Sequence, residues 1–303
     1  MTDRIIDLSD TGARLSVRHA QLVIERNESA AVSVPLEEIC TLIASNRAVV
    51  YSNAVLAGLM EHGAVFVCCD ERCMPVGWML PVANHHLQGE RFDQQVSSGE
   101  PVNKRIWQQI VRAKIRAQSA LLLHLRGDDA GLAAMVERVQ SGDPMNVEAQ
   151  AARRYWPLVF GDAEFRRNRD ANDQNRFLNY GYAVVRAVVA RAICAAGLHP
   201  SIGLHHENRY DAFPLADDLM EPFRPLVDHA VAVLIKSTPK DAPLDRKSKA
   251  FLIESVLGPF LIEDELRGLF DIASRMAVSL VKVYAGSAKK LSLPELAYGS
   301  VRV

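Results

Sequence analysis

Residues 101–126 read PVNKRIWQQIVRAKIRAQSALLLHLR, and this stretch decides the fold class. Apolar residues at Ile106, Ile110, Val111, Ile115, Leu121, Leu122 and Leu125 recur at helical spacing, and no Pro or Gly interrupts the run from Val102 to Leu125. The pattern predicts one long amphipathic helix. Downstream the same period returns over residues 131–139, 147–160, 174–196, 219–235, 249–257 and 263–284, so this half is expected to be all-helical. Upstream the character changes. Short Val/Ile/Leu-rich segments at 4–8, 14–19, 21–26, 30–34, 39–43, 49–51 and 64–70 are separated by turn residues, and alternation in Leu15-Ser16-Val17-Arg18 and Leu22-Val23-Ile24-Glu25 marks strands with one wet face. One helix stands among them, Asn53 to Glu61, opened by Ser52 or Asn53 and stopped by Gly63. The expected class is α+β. A small sandwich-like β domain with one helix (1–80) is followed by a polar linker (81–100, PVANHHLQGERFDQQVSSGE) and a larger all-α domain (101–303).

The chain has 303 residues, 49% of them hydrophobic and 23% charged, which excludes a disordered tail, a collagen-like repeat and a membrane bundle. The start MTDRIIDLSD lacks the pattern of a secretory signal, and no apolar run reaches the ~18 residues that span a bilayer. A cytoplasmic protein without a membrane partner is expected. Five cysteines, Cys40, Cys68, Cys69, Cys73 and Cys194, are an odd number for a disulfide framework. Cys68, Cys69 and Cys73 lie upstream of His85 and His86, but without paired CxxC spacing. Val65-Phe66-Val67-Cys68-Cys69 reads instead as a buried strand that uses cysteine as a small apolar residue.

A formal net charge of −1 looks unsuited to a nucleic-acid partner until it is divided. Residues 1–100 carry 7 Lys and Arg against 13 Asp and Glu, leaving 28 against 23 for residues 101–303. Neutrality is therefore a cancellation between an acidic β half and a basic helical half. Lys104, Arg105, Arg112, Lys114, Arg116 and Arg126 occupy residues 104–126 without one acid, and Arg153, Arg154, Arg166, Arg167, Arg169, Arg176, Arg186 and Arg191 follow. Arginine in excess suits bidentate phosphate contacts, and a solvated helix face would more often place an acid at i,i+4. This feature leaves polyanion binding and plain solvation both open.

The densest chemical cluster runs from Gly203 through His205-His206-Glu207-Asn208 to Asp217-Asp218-Leu219-Met220-Glu221-Pro222-Phe223-Arg224-Pro225. Asp218 and Glu221 stand three apart ahead of an apolar helix, which fits a capping box. Capping accounts for both carboxylates but not for the adjacent histidines. Oxygen donors with one imidazole suit Mg²⁺ or Mn²⁺, so the segment is also a candidate divalent-cation site that needs a further ligand. Glu148 is the best acid elsewhere, among small neighbours and ahead of two arginines, although local pattern alone does not select it.

Three blocks in order carry a resemblance: Pro144-Met145-Asn146-Val147-Glu148-Ala149-Gln150-Ala151-Ala152-Arg153-Arg154-Tyr155-Trp156, then Asn179-Tyr180-Gly181-Tyr182, then Gly203 to Pro225. Together they resemble the CRISPR-associated adaptation integrase and endonuclease, which inserts new spacers into CRISPR arrays. The His205-His206-Glu207-Asn208 form and the modest length are most similar to the version in type II systems. Asp211-Ala212-Phe213-Pro214 departs from the Gly-Arg-Pro-Ser of many relatives and leaves the acidic positions intact.

The resemblance implies that Glu148, His206 and Glu221 are catalytic metal ligands for Mg²⁺ or Mn²⁺, with Asp218 and His205 as supporting or alternative groups. It implies transesterification, in which the 3′-hydroxyl of a protospacer strand attacks a phosphodiester at the CRISPR repeat. Lys104, Arg105, Arg112, Arg153, Arg154, Arg166, Arg167, Arg169 and Arg176 are then the expected contacts to double-stranded DNA. A homodimer through the β domain and a small ferredoxin-like adaptation partner are also implied. A branched-DNA repair nuclease and a non-catalytic DNA-binding subunit are the competing expectations.

Overall fold

A computed structural model describes residues 4–27, 29–70, 75–81, 85–205, 211–262, 265–296 and 298. The strand-rich half contains β1 (Arg4–Leu8), β2 (Arg14–Arg18), β3 (Gln21–Glu25), β4 (Val32–Pro35), β5 (Ile39–Ala44) and β6 (Val50–Tyr51), then α1 (Asn53–Glu61), β7 (Val65–Cys69) and β8 (Pro75–Met79). Two four-stranded sheets form, in the orders β1-β5-β7-β8 and β4-β3-β2-β6. Leu8, Leu15, Leu22, Ile24, Val34, Leu42, Val55, Leu59 and Phe66 fill one core among these sheets and α1.

The other face of the first sheet serves the helical half. The pairing of β1 with β5 sets Arg4 opposite Ile39 and Ile5 opposite Thr41, so Cys40 is an extra residue in a bulge. Ile39 and Leu42 consequently enter the small core, while Cys40 and Ile43 enter the large one. On β7 simple alternation does the same, with Phe66 on one side and Val65 and Val67 on the other. Cys40 is buried in the large core, whereas the strand expected to bury Cys68 and Cys69 leaves both half-buried at its end, Cys68 against the small core and Cys69 against the large one. Cys40, Cys68, Cys69 and Cys194 are not joined in disulfides. Cys73 lies outside the described residues.

The helical half contains α2 (Gln88–Val96), α3 (Glu100–Arg126), α4 (Leu132–Val136), α5 (Val147–Phe160), α6 (Asn175–Ala195), α7 (Pro214–Met220), a 3₁₀ turn (Glu221–Phe223), α8 (Arg224–Leu234) and α9 (Arg246–Leu257). A short hairpin of β9 (Phe260–Ile262) and β10 (Glu265–Arg267) interrupts the expected helical run before α10 (Leu269–Tyr284). The central helix is α6, packed against α7, α8, α9, α10 and strands β5 and β7. It has the length and apolarity of a membrane span, yet 83% of its most apolar window is buried inside the fold.

Two expectations change in detail. The polar segment 81–100 carries α2, held by polar rather than apolar groups: buried Gln95 donates to the carbonyls of His199 and Ile202, both at 2.9 Å, and Arg91 donates to the Ala196 carbonyl at 2.7 Å. Docking of this kind leaves no apolar stripe to read. The single helix expected at 219–235 is divided, because Pro222 and Pro225 have no N–H to continue the ladder and the chain tightens into the 3₁₀ turn between α7 and α8.

Candidate active site

Glu148 sits in the first turn of α5, where the backbone is fixed from outside the helix. Asn146 is the N-cap, its side chain accepting from the Ala149 N–H at 3.3 Å. Asp143 accepts from the N–H groups of Val147 and Glu148 at 2.9 and 3.0 Å. Two side chains therefore satisfy donors that every helix start leaves open, and the carboxylate of Glu148 is favoured by the helix dipole.

That carboxylate meets Glu221, which opens the 3₁₀ turn. Both reach one ammonium: Lys114 Nζ of α3 lies 2.5 Å from Glu148 Oε1 and 2.5 Å from Glu221 Oε2. The other oxygen of Glu221 accepts from Arg224 Nε at 2.7 Å. The three side chains at the ammonium are enclosed, with exposures of 11% for Lys114, 6% for Glu221 and 23% for Glu148. Burial alone would push the Lys114 ammonium down, but Glu221 and Glu148 reverse this and hold it above its ordinary range. Burial likewise opposes ionisation of Glu221, and the adjacent Arg224 and Lys114 overcome it and hold the carboxyl below its usual range.

Asp218 has a different task. Fully buried near the end of α7, it accepts from the backbone N–H groups of Leu204 and His205 at 2.6 and 3.1 Å. The imidazole of His205 stacks on Trp107 of α3, with ring centroids 4.3 Å apart. His206 itself lies outside the described residues, but its predecessor is anchored on both sides. Neither Asp218 nor Glu221 caps a helix as the sequence allowed: α7 and α8 have no side-chain cap at their N-termini.

The Asn179-Tyr180-Gly181-Tyr182 block supports this arrangement position by position. Asn179 accepts from Arg167 Nη2 at 2.6 Å and donates to the Arg169 carbonyl at 2.8 Å. The Tyr180 hydroxyl donates to Asp7 of β1, joining the two halves. Gly181 lets α6 approach α8, since a Cβ there would meet Val227 Cγ1 at 2.4 Å. The Tyr182 hydroxyl donates to Asp228 Oδ1, while Tyr155 donates to the other oxygen at 2.7 Å. The guanidinium of Arg224 lies over the Tyr182 ring, 4.7 Å from its centroid, so the cation that steadies Glu221 is itself held by α6.

A divalent ion fits the oxygens that are present. Glu148 and Glu221 converge on one point already occupied by a cationic nitrogen, and carboxylates are suitable donors for Mg²⁺ or Mn²⁺. Among the described residues no group of three or more His, Cys, Asp and Glu side chains could hold a metal, and the third expected donor is His206.

The basic residues expected on DNA divide into two groups. Lys104, Arg105, Arg153, Arg154, Arg166 and Arg169 are exposed. Lys104 pairs with Glu100 at 2.7 Å, one turn before the acid-free stretch. Arg112 stands 3.9 Å from Glu137, Arg176 donates to the Ala242 carbonyl at 2.9 Å, and half-buried Arg167 is engaged by Asn175 and Asn179. Lys114, Trp107, Arg224, Asp143 and Asp228 emerge only from the structure as supports of the candidate ligands. For Lys114 a signal existed: it stands in the apolar stripe of α3, four residues after Ile110.

The family model for CRISPR associated protein Cas1 matches residues 7–253. The chain belongs to the Cas1 family. This Cas1 chain is 38% identical over 292 residues to the CRISPR-associated endonuclease Cas1 of Neisseria meningitidis serogroup C, covering 95% of both chains. Among solved structures it is similar to a casposase bound to integration product, with a TM-score of 0.83 and 18% identity over 99% of this chain and 96% of the other. It is also similar to a chain of a Cas6-RT-Cas1–Cas2 complex, with a TM-score of 0.79 and 18% identity over 99% of this chain and 36% of the other. These two likenesses concern the Cas1 fold, a strand-rich N-terminal region followed by a mostly helical one.

Proposed function

We propose that this chain is a metal-dependent DNA integrase and endonuclease of CRISPR adaptation, which inserts protospacer DNA into the array by attack of a 3′-hydroxyl on a phosphodiester. The observation that carries the reading is the meeting of Glu148 and Glu221, from separate parts of the chain, on one cationic centre. The N. meningitidis relative is called an endonuclease, and the casposase structure holds an integration product, which support the two activities in turn.

Glu148, His206 and Glu221 would hold Mg²⁺ or Mn²⁺, which when bound supplies positive charge to the scissile phosphate and favours the alkoxide form of the attacking hydroxyl. Around that centre the chain's own side chains do the positioning. Arg224 keeps one Glu221 oxygen turned away from the shared point. Asp218 ties down the backbone that delivers His206. Exposed Lys104, Arg105, Arg153, Arg154, Arg166 and Arg169 suit phosphate contacts that fix register without reading sequence. One phosphorus–oxygen bond forms to the incoming 3′-oxygen and one breaks to the departing repeat oxygen, which leaves with a proton, so the number of phosphodiesters is unchanged.

In the same reading the functional unit includes a homodimer through the strand-rich half, where Val32, Val50, Tyr51 and Val76 are exposed, and a small ferredoxin-like adaptation partner. One structural neighbour is part of a Cas1–Cas2 complex, which supports a second protein in the assembly. Incubation of the chain and that partner with protospacer duplex and a repeat-bearing plasmid in Mg²⁺ or Mn²⁺ tests the proposal. Joined products are expected, and both Glu148→Ala and Glu221→Gln should abolish them. Cleavage without joining points to a repair nuclease, and undiminished joining by either variant removes the site assignment.

A further inference from the structure

Lys114 is a cation where a cation site is proposed. It projects from the core-facing stripe of α3, is buried, and touches both candidate carboxylates at 2.5 Å. Together with Arg224 it balances Glu148 and Glu221 charge for charge. A divalent ion takes carboxylate oxygens at about 2.0–2.6 Å, depending on the ion. It cannot do so at these oxygens while an ammonium sits 2.5 Å from each of them.

The ammonium must then withdraw, and the surroundings distinguish it from Arg224, which binds the other Glu221 oxygen. Arg224 is fixed by its bond to Glu221 and by the Tyr182 ring beneath it. Lys114 carries its charge on a flexible four-carbon stem, and its partner Glu148 is the more exposed carboxylate, so the open side of the site lies toward it. We propose that Lys114 is a built-in counter-cation: its ammonium holds Glu148 and Glu221 together while no divalent ion is bound, and competes with that ion for the same oxygens. The inference rests on the metal-site reading above and adds to it a lysine that sets the threshold for loading.

The test is Mn²⁺ titration calorimetry and thermal melting of the full chain, in EDTA and in Mn²⁺. Lys114→Met keeps the stem and removes the charge. It is expected to bind Mn²⁺ about tenfold more tightly or better, a typical size for coupling between two ligands. It should also melt several degrees lower in EDTA, with Mn²⁺ raising its melting temperature by more than the wild type's. Folded Lys114→Met that binds Mn²⁺ equally or more weakly overturns the proposal. If that variant does not fold in EDTA, Lys114→Gln is put through the same comparison. Failure of both to fold even in Mn²⁺ identifies a structural partner that the ion cannot replace, and the proposal falls. Glu148→Gln separates the two layers: wild-type binding that ignores this change removes the metal site and the inference together, whereas binding that depends on Glu148 but not on Lys114 removes only the inference.

Discussion

The indole of Trp107 lies flat against the imidazole of His205, with centroids 4.3 Å apart and ring planes 8° from parallel. Lys114 is two turns further along α3, on the same face, so one helix supports both the histidine segment and the carboxylate pair. Trp107 is also among the largest fully buried side chains. Trp107→Ala should cost about 3–5 kcal/mol by denaturant unfolding, as large aromatic truncations do. Assayed where it is still folded, this variant should also lose most strand joining, and Trp107→Phe should recover much of both. Normal joining by folded Trp107→Ala would show that the shelf is dispensable.

Gly181 marks the closest approach of α6 to α8. A methyl group would stand 2.4 Å from Val227 Cγ1, inside any allowed contact, and separating the helices would pull Tyr182 from Asp228 and from beneath Arg224. Gly181→Ala is expected to destabilise by about 1–3 kcal/mol, the usual size of an overpacking penalty. Val227→Ala in the same chain should return part of the loss, because it removes the colliding methyl groups. Thermal melts of the two single variants and the double variant measure that coupling, and strict additivity would contradict the steric account.

Periodicity and punctuation made much of the architecture legible. The expected bounds of α1 and α5, Asn53–Glu61 and Val147–Phe160, are those observed, because each helix has a clear start and a glycine stop. Strand β8 escaped because Pro75 and Gly77 weaken its pattern, and its place at a sheet edge is where a strand tolerates both. The acidic candidates were legible through the family motif, and their pairing joins α5 to the turn before α8. The lysine between them was not, because its partners stand 34 and 107 positions away in the chain and its charge reads equally well as part of a phosphate-binding face.

Asp228 and His229 are adjacent on α8 and carry opposite pH linkages. Burial pushes the Asp228 carboxyl up to about 6, although the hydroxyls of Tyr155 and Tyr182 favour its ionised form. Burial, with His124 alongside, pushes His229 down to about 4. Between its ordinary value of 3.8 and about 6, folded Asp228 keeps a proton that the unfolded chain has released, so its contribution to stability falls as pH rises. Between about 4 and 6.5 the unfolded chain holds a proton that folded His229 refuses, so that contribution rises with pH. The stability gap between wild type and Asp228→Asn should therefore narrow from pH 4 to 6, and the gap to His229→Asn should shift in favour of the wild type over the same range. Urea unfolding across that range checks both signs, and two parallel curves would refute them.

Arginines that are alike in sequence should separate in their effect on DNA. Arg153 and Arg154 are exposed on α5, whose first turn carries Glu148, whereas Arg167 donates to Asn175 Oδ1 at 2.9 Å and to Asn179 Oδ1 at 2.6 Å and lies over Tyr182. Replacing an exposed phosphate-binding side chain removes counterion release without disturbing the fold. The Arg153→Ala/Arg154→Ala variant should melt within a few degrees of the wild type, bind duplex DNA more weakly regardless of sequence, and show a log–log salt slope smaller by about 1 for each phosphate no longer neutralised. Arg167→Ala should instead act through stability, since it strands the Oδ1 of buried Asn179 on α6 and leaves Asn175 Oδ1 with only the Asn168 N–H, at a cost of about 1–3 kcal/mol. Its salt slope, measured on the folded fraction, should match the wild type's. Fluorescence anisotropy with labelled duplex over a salt series, paired with melting curves, reads both effects. A reduced slope for Arg167→Ala with an unchanged melting temperature would place that guanidinium on DNA and contradict the role drawn from its bonds to Asn175 and Asn179.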